Sequence, residues 1–477
     1  EFVKVADREL TSSGAQTILR FSMRPTNSIL GQHFTIARQL RFTLPRMLMS
    51  LFIMSYMVAD GVLISRYMGT VALASLNMIF PLAIFLGAVG IMLSAGGGSV
   101  VSRRMGRGDS EGADRALSTV IYAEFAFGLV VGLLGILVLP LLLDFLHVNE
   151  EQYAYAYDYQ VVWLAFVPVF LLSVLFQTFF TVSGYPKLGL TVSVASGLTN
   201  VFLDILFMGP LGWGMHGAAL ATVISWVVAV AAGLAFFCRR KAPIRIICTR
   251  PDWKALKGAC TSGVSEMVGS LSSSVTLYFF NAAFMYWLGV DGVAALTIAS
   301  YSTYVFNSIF YGFCEATAPI LGYKYGEQNW TELACVFRNS LIIMTVFSLA
   351  AYGLSVLFAA PVLGFFAPQD SHVFELVLAN FGYFALSLLL LCPNMFAAYL
   401  FTAMGDGKRA AIVSFCRTFL FTVLAIECLP LAVGEIGLWF AVPLAELLTL
   451  ILSATLVIRN RRRYGYDGQP ATVVNIT

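Results

Sequence analysis

Polar and apolar positions along this chain separate into long blocks. Runs of about 20 mainly apolar residues, the length that crosses a bilayer core as a helix, fall near 44–64, 77–99, 117–139, 160–182, 187–208 and 216–237, with six more near 263–288, 296–320, 339–363, 376–400, 410–432 and 437–458. Short polar loops join them. The pattern predicts an all-α integral membrane protein with twelve transmembrane helices. Lys and Arg set its orientation, because short cytoplasmic loops are enriched in both. Arg38, Arg41 and Arg46 precede the first span; Arg103, Arg104, Arg107 and Arg115 follow the second, and Lys187 follows the fourth. Arg239 to Lys257, Lys324, Lys408 with Arg409, and the tail Arg459, Arg461, Arg462 and Arg463 fall on that same side. The opposite loops carry Asp144, Glu150, Glu151, Asp158, Asp370 and Glu375. A multi-pass protein of the plasma or inner membrane is expected, with both termini cytoplasmic.

The chain repeats itself at a spacing of roughly 220 residues. "GTVALAS" (69–75) returns as "GVAALTI" (292–298), "VVSRRMGRGDSE" (100–111) as "ILGYKYGEQNWTE" (320–332), and "FTVSGYPKLG" (180–189) as "FTAMGDGKRA" (401–410). Six spans per copy is an even number, so both copies enter the membrane the same way round, related by an axis along its normal. The expected organisation is a polar, unassigned segment at 1–37, a first six-helix lobe at 38–238, a basic linker at 239–258, a second pseudo-symmetric lobe at 259–458 and a basic tail at 459–477. Residues 1–37 are too polar for a signal peptide.

Composition narrows the class. Hydrophobic residues make up 59% and charged residues only 12%, about half the charge a soluble domain uses to cover itself. A net charge of +3 does not advertise nucleic acid. The eight cysteines are scattered singly, and the histidines His33, His147, His216 and His372 lie far apart in predicted loops or in the amino-terminal segment, so no zinc or haem spacing is present. No GxxxxGK[ST] phosphate loop occurs, and no cofactor is expected.

Each ionisable residue inside a span costs roughly 2.5–3.5 kcal/mol at the bilayer centre and needs a reason to be there. Asp60 and Asp204 both lie about 25 Å up helices that start inside, at ~1.5 Å per residue. Tyr56 and Asn200 each sit four residues before one of these acids, on the same helical face, and Thr222, on a helix running the other way, reaches a similar level. A carboxyl group kept from water can take up and release a proton near neutral pH, and carboxylate, amide and hydroxyl oxygens together also suit a sodium ion. The coupling species is therefore H+ or Na+, with Asp60, Asn200, Asp204 and Thr222 as the Na+ ligand set. The plain alternative is hydrogen-bond glue between helices.

"FTLPRMLMSLFIMSYMVADGVLISRYMGTVALASLNMIFPL" resembles the opening of multidrug and toxic compound extrusion (MATE) transporters. "SGYPKLGLTVSVASGLTNVFLDILFMGPLGWGMHGAALATVIS" is similar to the family's middle section, and "SGVSEMVGSLSSSV" with "APILGYKYGEQN" to the second lobe of its bacterial branch. The likeness spans about residues 34–458. It implies that Tyr56, Asp60, Asn200, Asp204 and Thr222 form the family's cation-binding and protonation cluster, and that Pro45 is the first-helix proline with a possible hinge role. Glu315 departs from the glutamine expected there; with Glu266 it is expected to form an acidic pair near the cytoplasmic side. Glu124, Glu427 and Glu446 are further candidates to line a cavity, each able instead to pair with a neighbour such as Arg417.

Because acids within the spans outnumber bases, the cavity should favour cations, and the 39 Phe and 16 Met offer adaptable contact surface. The expected function is ion-coupled efflux of cationic amphipathic small molecules by a rocker switch. Two complete lobes make a monomer sufficient. A lipid-linked precursor flippase of the same superfamily, a major-facilitator transporter and a membrane enzyme are the rival readings. The first would need cavity arginines, of which Arg417 is the serious candidate, and the last a nucleophile–base pair that is not found.

Overall fold

The computed structural model describes residues 29–145 and 148–472, without the side chains of 77–82. His147 and residues 1–28 of the amino-terminal segment lie outside the described residues. All regular structure in the described residues is helical. After a short 3-10 turn at Ile29–Gly31 come α1 (Ile36–Gly106), α2 (Ser110–Phe145), α3 (Glu150–Ala165), α4 (Val167–Val182), α5 (Pro186–Met208) and α6 (Gly214–Phe237). The second half continues with α7 (Trp253–Gly326), α8 (Trp330–Leu357), α9 (Ala359–Phe366), α10 (His372–Ala385), α11 (Ser387–Ala403), α12 (Gly407–Phe415), a π-turn at Cys416–Leu420, α13 (Phe421–Val433) and α14 (Ile436–Tyr464).

α1 and α7 are too long to be single crossings. The 74 residues of α7 would make about 110 Å of straight helix at ~1.5 Å per residue, several times the bilayer core. Each breaks once, at Gly69 (φ 87°) and Gly289 (φ 65°), where a positive φ suits glycine. α3 with α4, and α10 with α11, are each one bent crossing, at 61° and 43°. With α7 divided at Gly289, the described residues make twelve crossings, as the hydrophobic blocks predict. The fourth begins earlier than the block at 160–182 implied, because α3 carries the mixed stretch EEQYAYAYDYQ.

The repeat is written into the backbone. Left-handed positions recur 220 or 221 residues apart, at Gly69 and Gly289, Gly108 and Gln328, Gly184 and Gly405, and Gly214 and Gly434. The breaks after Ala165 and Ala385 obey the same interval. Gly69 therefore corresponds to Gly289, three residues before the window that resembles it in sequence.

The halves meet backbone to backbone. A Cβ on Gly106 would stand 2.0 Å from the Tyr323 carbonyl oxygen, and one on Gly326 would stand 2.1 Å from that of Arg103. These two contacts exchange under the repeat, so the pseudo-twofold axis passes between them. A Cβ on Gly96 would lie 1.9 Å from the Ala259 oxygen, and one on Gly263 1.9 Å from that of Met92. Only hydrogen fits at these four sites.

Three segments fasten the basic end. The amino-terminal strap crosses to the second half: Lys324 Nζ donates to the Gly31 carbonyl at 2.8 Å, Asn339 Nδ2 to that of Phe34 at 2.8 Å, and His33 Nδ1 lies 2.6 Å from Glu332. α1 begins at Ile36, so Arg46, expected in the loop before the first span, is instead a buried helical residue, and Pro45 sits within unbroken helix. The linker runs along α2, with the Arg245 and Ile247 amides donating to Asp114 and Ser118. Its last six expected residues, 253–258, belong to α7. Of the expected tail, residues up to Tyr464 extend α14, and Tyr466 is buried beside Phe337.

Gly326→Ala should lower the unfolding midpoint of the detergent-purified protein, by about 1–3 kcal/mol in stability as for other overpacked sites. An unchanged midpoint in thermal unfolding would show that these helices separate freely.

Candidate functional site

The structure gathers Tyr56 and Asp60 from the first arm of α1, Asn200 and Asp204 from α5, and Thr222 from α6. α5 turns Gly197, Asn200 and Asp204 inward at i, i+3 and i+7. A Cβ on Gly197 would press within 2.6 Å of Phe52 and 3.0 Å of Tyr56, so that glycine lets α1 come close enough to set Asp60 beside Asp204. α6 is tied on by Ser196 Oγ, donating to the Ser225 carbonyl at 2.6 Å. Asn200 Nδ2 donates to Thr222 Oγ1 at 3.3 Å, and Thr222 donates back to the Ala218 carbonyl at 3.1 Å.

Asp204 is fully buried and Asn200 nearly so. Among the described residues, neither Asp204 carboxyl oxygen nor Asp60 Oδ1 receives a hydrogen bond from the protein. Buried acceptors without donors are costly. A proton on one acid, or a small hard cation held by carboxylate, amide and hydroxyl oxygens, would satisfy them. Tyr159 of α3 also borders this group, next to Asp60, Asp204, Tyr56 and Thr222. Sequence reading missed it because the mixed composition of α3 hides that it belongs to a crossing. No three His, Cys, Asp or Glu residues come together as a metal cluster among the described residues.

The second half is arranged differently. Glu315 takes a two-pronged ion pair from Arg46, whose Nε lies 3.0 Å away, and accepts from Thr178 Oγ1 at 3.1 Å. Arg46 Nη1 also donates to the Gln177 carbonyl at 3.0 Å. Glu266 and Glu315 stand as electrostatic neighbours, but each has its own partner: Arg46 neutralises Glu315, while Glu266 accepts from the Tyr399 hydroxyl at 2.9 Å. Counting Arg46 as a loop charge had hidden this bond between the halves.

Glu446 accepts from Asn394 Nδ2 at 2.7 Å, and Asn394 in turn accepts from Ser453 at 2.9 Å. Arg417 lies 3.9 Å from Glu446. Glu124 is enclosed away from the first-half cluster and accepts from Ser94 Oγ at 2.9 Å. Glu427 is exposed. An apolar groove of about 560 Å³, lined by residues such as Leu389, Leu429, Phe440 and Pro443, lies within the second half.

The hydrogen bonds joining the halves cluster at the basic end. Besides the strap and Arg46, Gln39 Nε2 donates to Ser340 Oγ at 2.7 Å, Ser99 Oγ to the Thr402 carbonyl at 2.5 Å, and Arg103 Nη1 to that of Ala403 at 3.0 Å.

Two like-oriented six-helix halves, the first enclosing acids whose oxygens lack donors, define a multi-pass membrane transporter. The MatE family model matches the chain twice, over residues 45–206 and 267–426, and the chain belongs to this family of multidrug and toxic compound extrusion transporters. It is not an enzyme. Relatives include a protein of Shewanella oneidensis named FAD transporter, 22% identical over 86% of this chain and 91% of its own length. The multidrug export protein MepA of Staphylococcus saprophyticus is 23% identical over 79% and 83%. Among solved structures, a MATE transporter in the bent conformation superposes with a TM-score of 0.84 at 23% identity, over 92% of this chain and 98% of that one. A Pyrococcus furiosus transporter of the MOP superfamily, described as having a binding pocket of reversed polarity, gives 0.85 at 23% identity, over 93% and 99%.

Removing one partner of a buried ion pair typically costs about 3–5 kcal/mol, whereas replacing both by apolar residues is often neutral. Glu315→Gln alone should therefore lower the unfolding midpoint markedly, and Arg46→Met with Glu315→Met should recover most of the loss. A double variant as unstable as the sum of its singles would refute the coupling.

Proposed function

We propose that this protein is a secondary active antiporter that exports cationic amphipathic small molecules in exchange for H+ or Na+, working as a monomer by a rocker switch. The observation that carries the reading is the pair Asp60 and Asp204, in which Asp60 Oδ1 and both Asp204 carboxyl oxygens lack protein donors while Asn200, Thr222 and Tyr159 stand around them. Entry of a proton or cation removes an uncompensated charge and changes which packing of the halves is favoured. Moving a two-state population from 1:99 to 99:1 takes about 5.5 kcal/mol of differential binding, within reach of one or two such titrations driven by a gradient.

The contacts at the basic end support a closed cytoplasmic gate and an outward-opening resting state, with both termini cytoplasmic by the distribution of Lys and Arg. Cargo would load when the Arg46–Glu315 pair and the strap release, and leave on the opposite side. Arg46 is saturated by protein partners, so the flippase reading would rest on Arg417 alone.

Efflux of ethidium from cells or everted vesicles, under imposed proton or sodium gradients, tests this reading. Asp60→Asn and Asp204→Asn should each reduce driven efflux by at least about tenfold, and one gradient alone should suffice for the wild type. Undiminished efflux in both variants would remove the coupling role from this cluster.

A further inference from the structure

Arg417 is the feature of the second half that the proposed coupling site leaves unexplained. It lies ten residues into the span that starts at Gly407, about 15 Å from that end at ~1.5 Å per residue, where an arginine is expensive. Its side chain is 19% exposed. Among the described residues the guanidinium donates no hydrogen bond, and Nη1 is fully buried without a partner.

A structural ion pair would look otherwise. Arg46 shows the satisfied form, with Nε, Nη1 and Nη2 all engaged. Fork-to-carboxylate bonds run at about 2.7–2.9 Å, yet Glu446 stands 3.9 Å from Arg417 and is held by Asn394. Arg417 Nη1 is thus left without a hydrogen-bond acceptor, with the Glu446 carboxylate at ion-pair distance only.

The backbone that carries Arg417 is distorted. Arg417 sits in the five-residue π-turn, a helix distortion that recurs at functional sites. Side chains pin the turn: Thr422 Oγ1 donates to the Arg417 carbonyl at 2.6 Å and Thr276 Oγ1 to that of Thr418 at 2.5 Å. Glu266, Glu446 and Cys314 are its electrostatic neighbours.

We propose that Arg417 is an oxyanion anchor, so that the second half binds cargo through a phosphate or carboxylate group. Cargo would then include molecules that carry an oxyanion as well as an apolar or cationic part. This inference rests on the transporter reading above, and it assigns the second half a different task from the acids of the first.

The test compares probes that differ only in the oxyanion. Binding of FMN against riboflavin, by flavin fluorescence, and of nicotinate against nicotinamide, by displacement, is measured on the purified full-length chain. The wild type should favour the charged member of at least one pair by about tenfold. Arg417→Gln should abolish that preference while leaving riboflavin binding and the unfolding midpoint unchanged, and Arg417→Lys should retain part of it. Equal or absent binding within both pairs in the wild type, or a preference that survives Arg417→Gln, overturns the proposal. Failed ethidium efflux with an intact oxyanion preference would sink the cation antiport reading and leave the anchor standing; efflux without the preference would do the reverse.

Discussion

The molecule depends on a contact in which side chains take no part. In lipid, apolar surface gives helices no reason to associate, so close backbone packing through small residues must hold them. Gly96, Gly106, Gly263 and Gly326 supply that packing between α1 and α7, and each lies within about 2 Å, measured from a virtual Cβ, of a carbonyl oxygen of the other half. Everything else at the interface hangs on that distance. Arg46 reaches Glu315 and Ser99 reaches the Thr402 carbonyl only because the helices approach so closely.

The repeat fixes the scaffold and leaves the chemistry free to diverge. Both halves bury acids inside the membrane, at similar cost, yet they resolve that cost in opposite ways. In the first half Asp60 and Asp204 face each other with open acceptors. In the second, Glu315, Glu266 and Glu446 are met by Arg46, Tyr399 and Asn394. An unsatisfied site responds to what enters it, whereas a satisfied one must be broken before it can respond. On the proposed reading, the asymmetry would give ion and cargo separate places to act.

Much of this was legible in the sequence. The crossings, the 220-residue interval and the five cluster residues follow from hydrophobic blocks and from polar groups one turn apart, because in lipid every polar residue stands out against its surroundings. What stayed hidden has a common cause. Arg46 reads as one more positive-inside charge, and only the helix start at Ile36 shows that it is buried. Tyr159 lies in a stretch too polar to pass as a span, and the strap at 29–35, grouped by sequence with the polar segment 1–37, is buried at Leu30 and Phe34 by contact. Long-range partners at separations near 300 residues leave no periodic trace.

That strap also bears on how the chain is made. His33 and Glu332 are 299 residues apart, and Gln39 and Ser340 are 301 apart. When the first span leaves the ribosome its partners do not yet exist, so Arg46 enters the bilayer without its counter-charge and its buried face waits through the synthesis of seven more crossings. The seam at the basic end closes last. A defect anywhere between, even in a loop remote from transport, would strand an unpaired cation in the membrane and expose the unfinished protein to quality control.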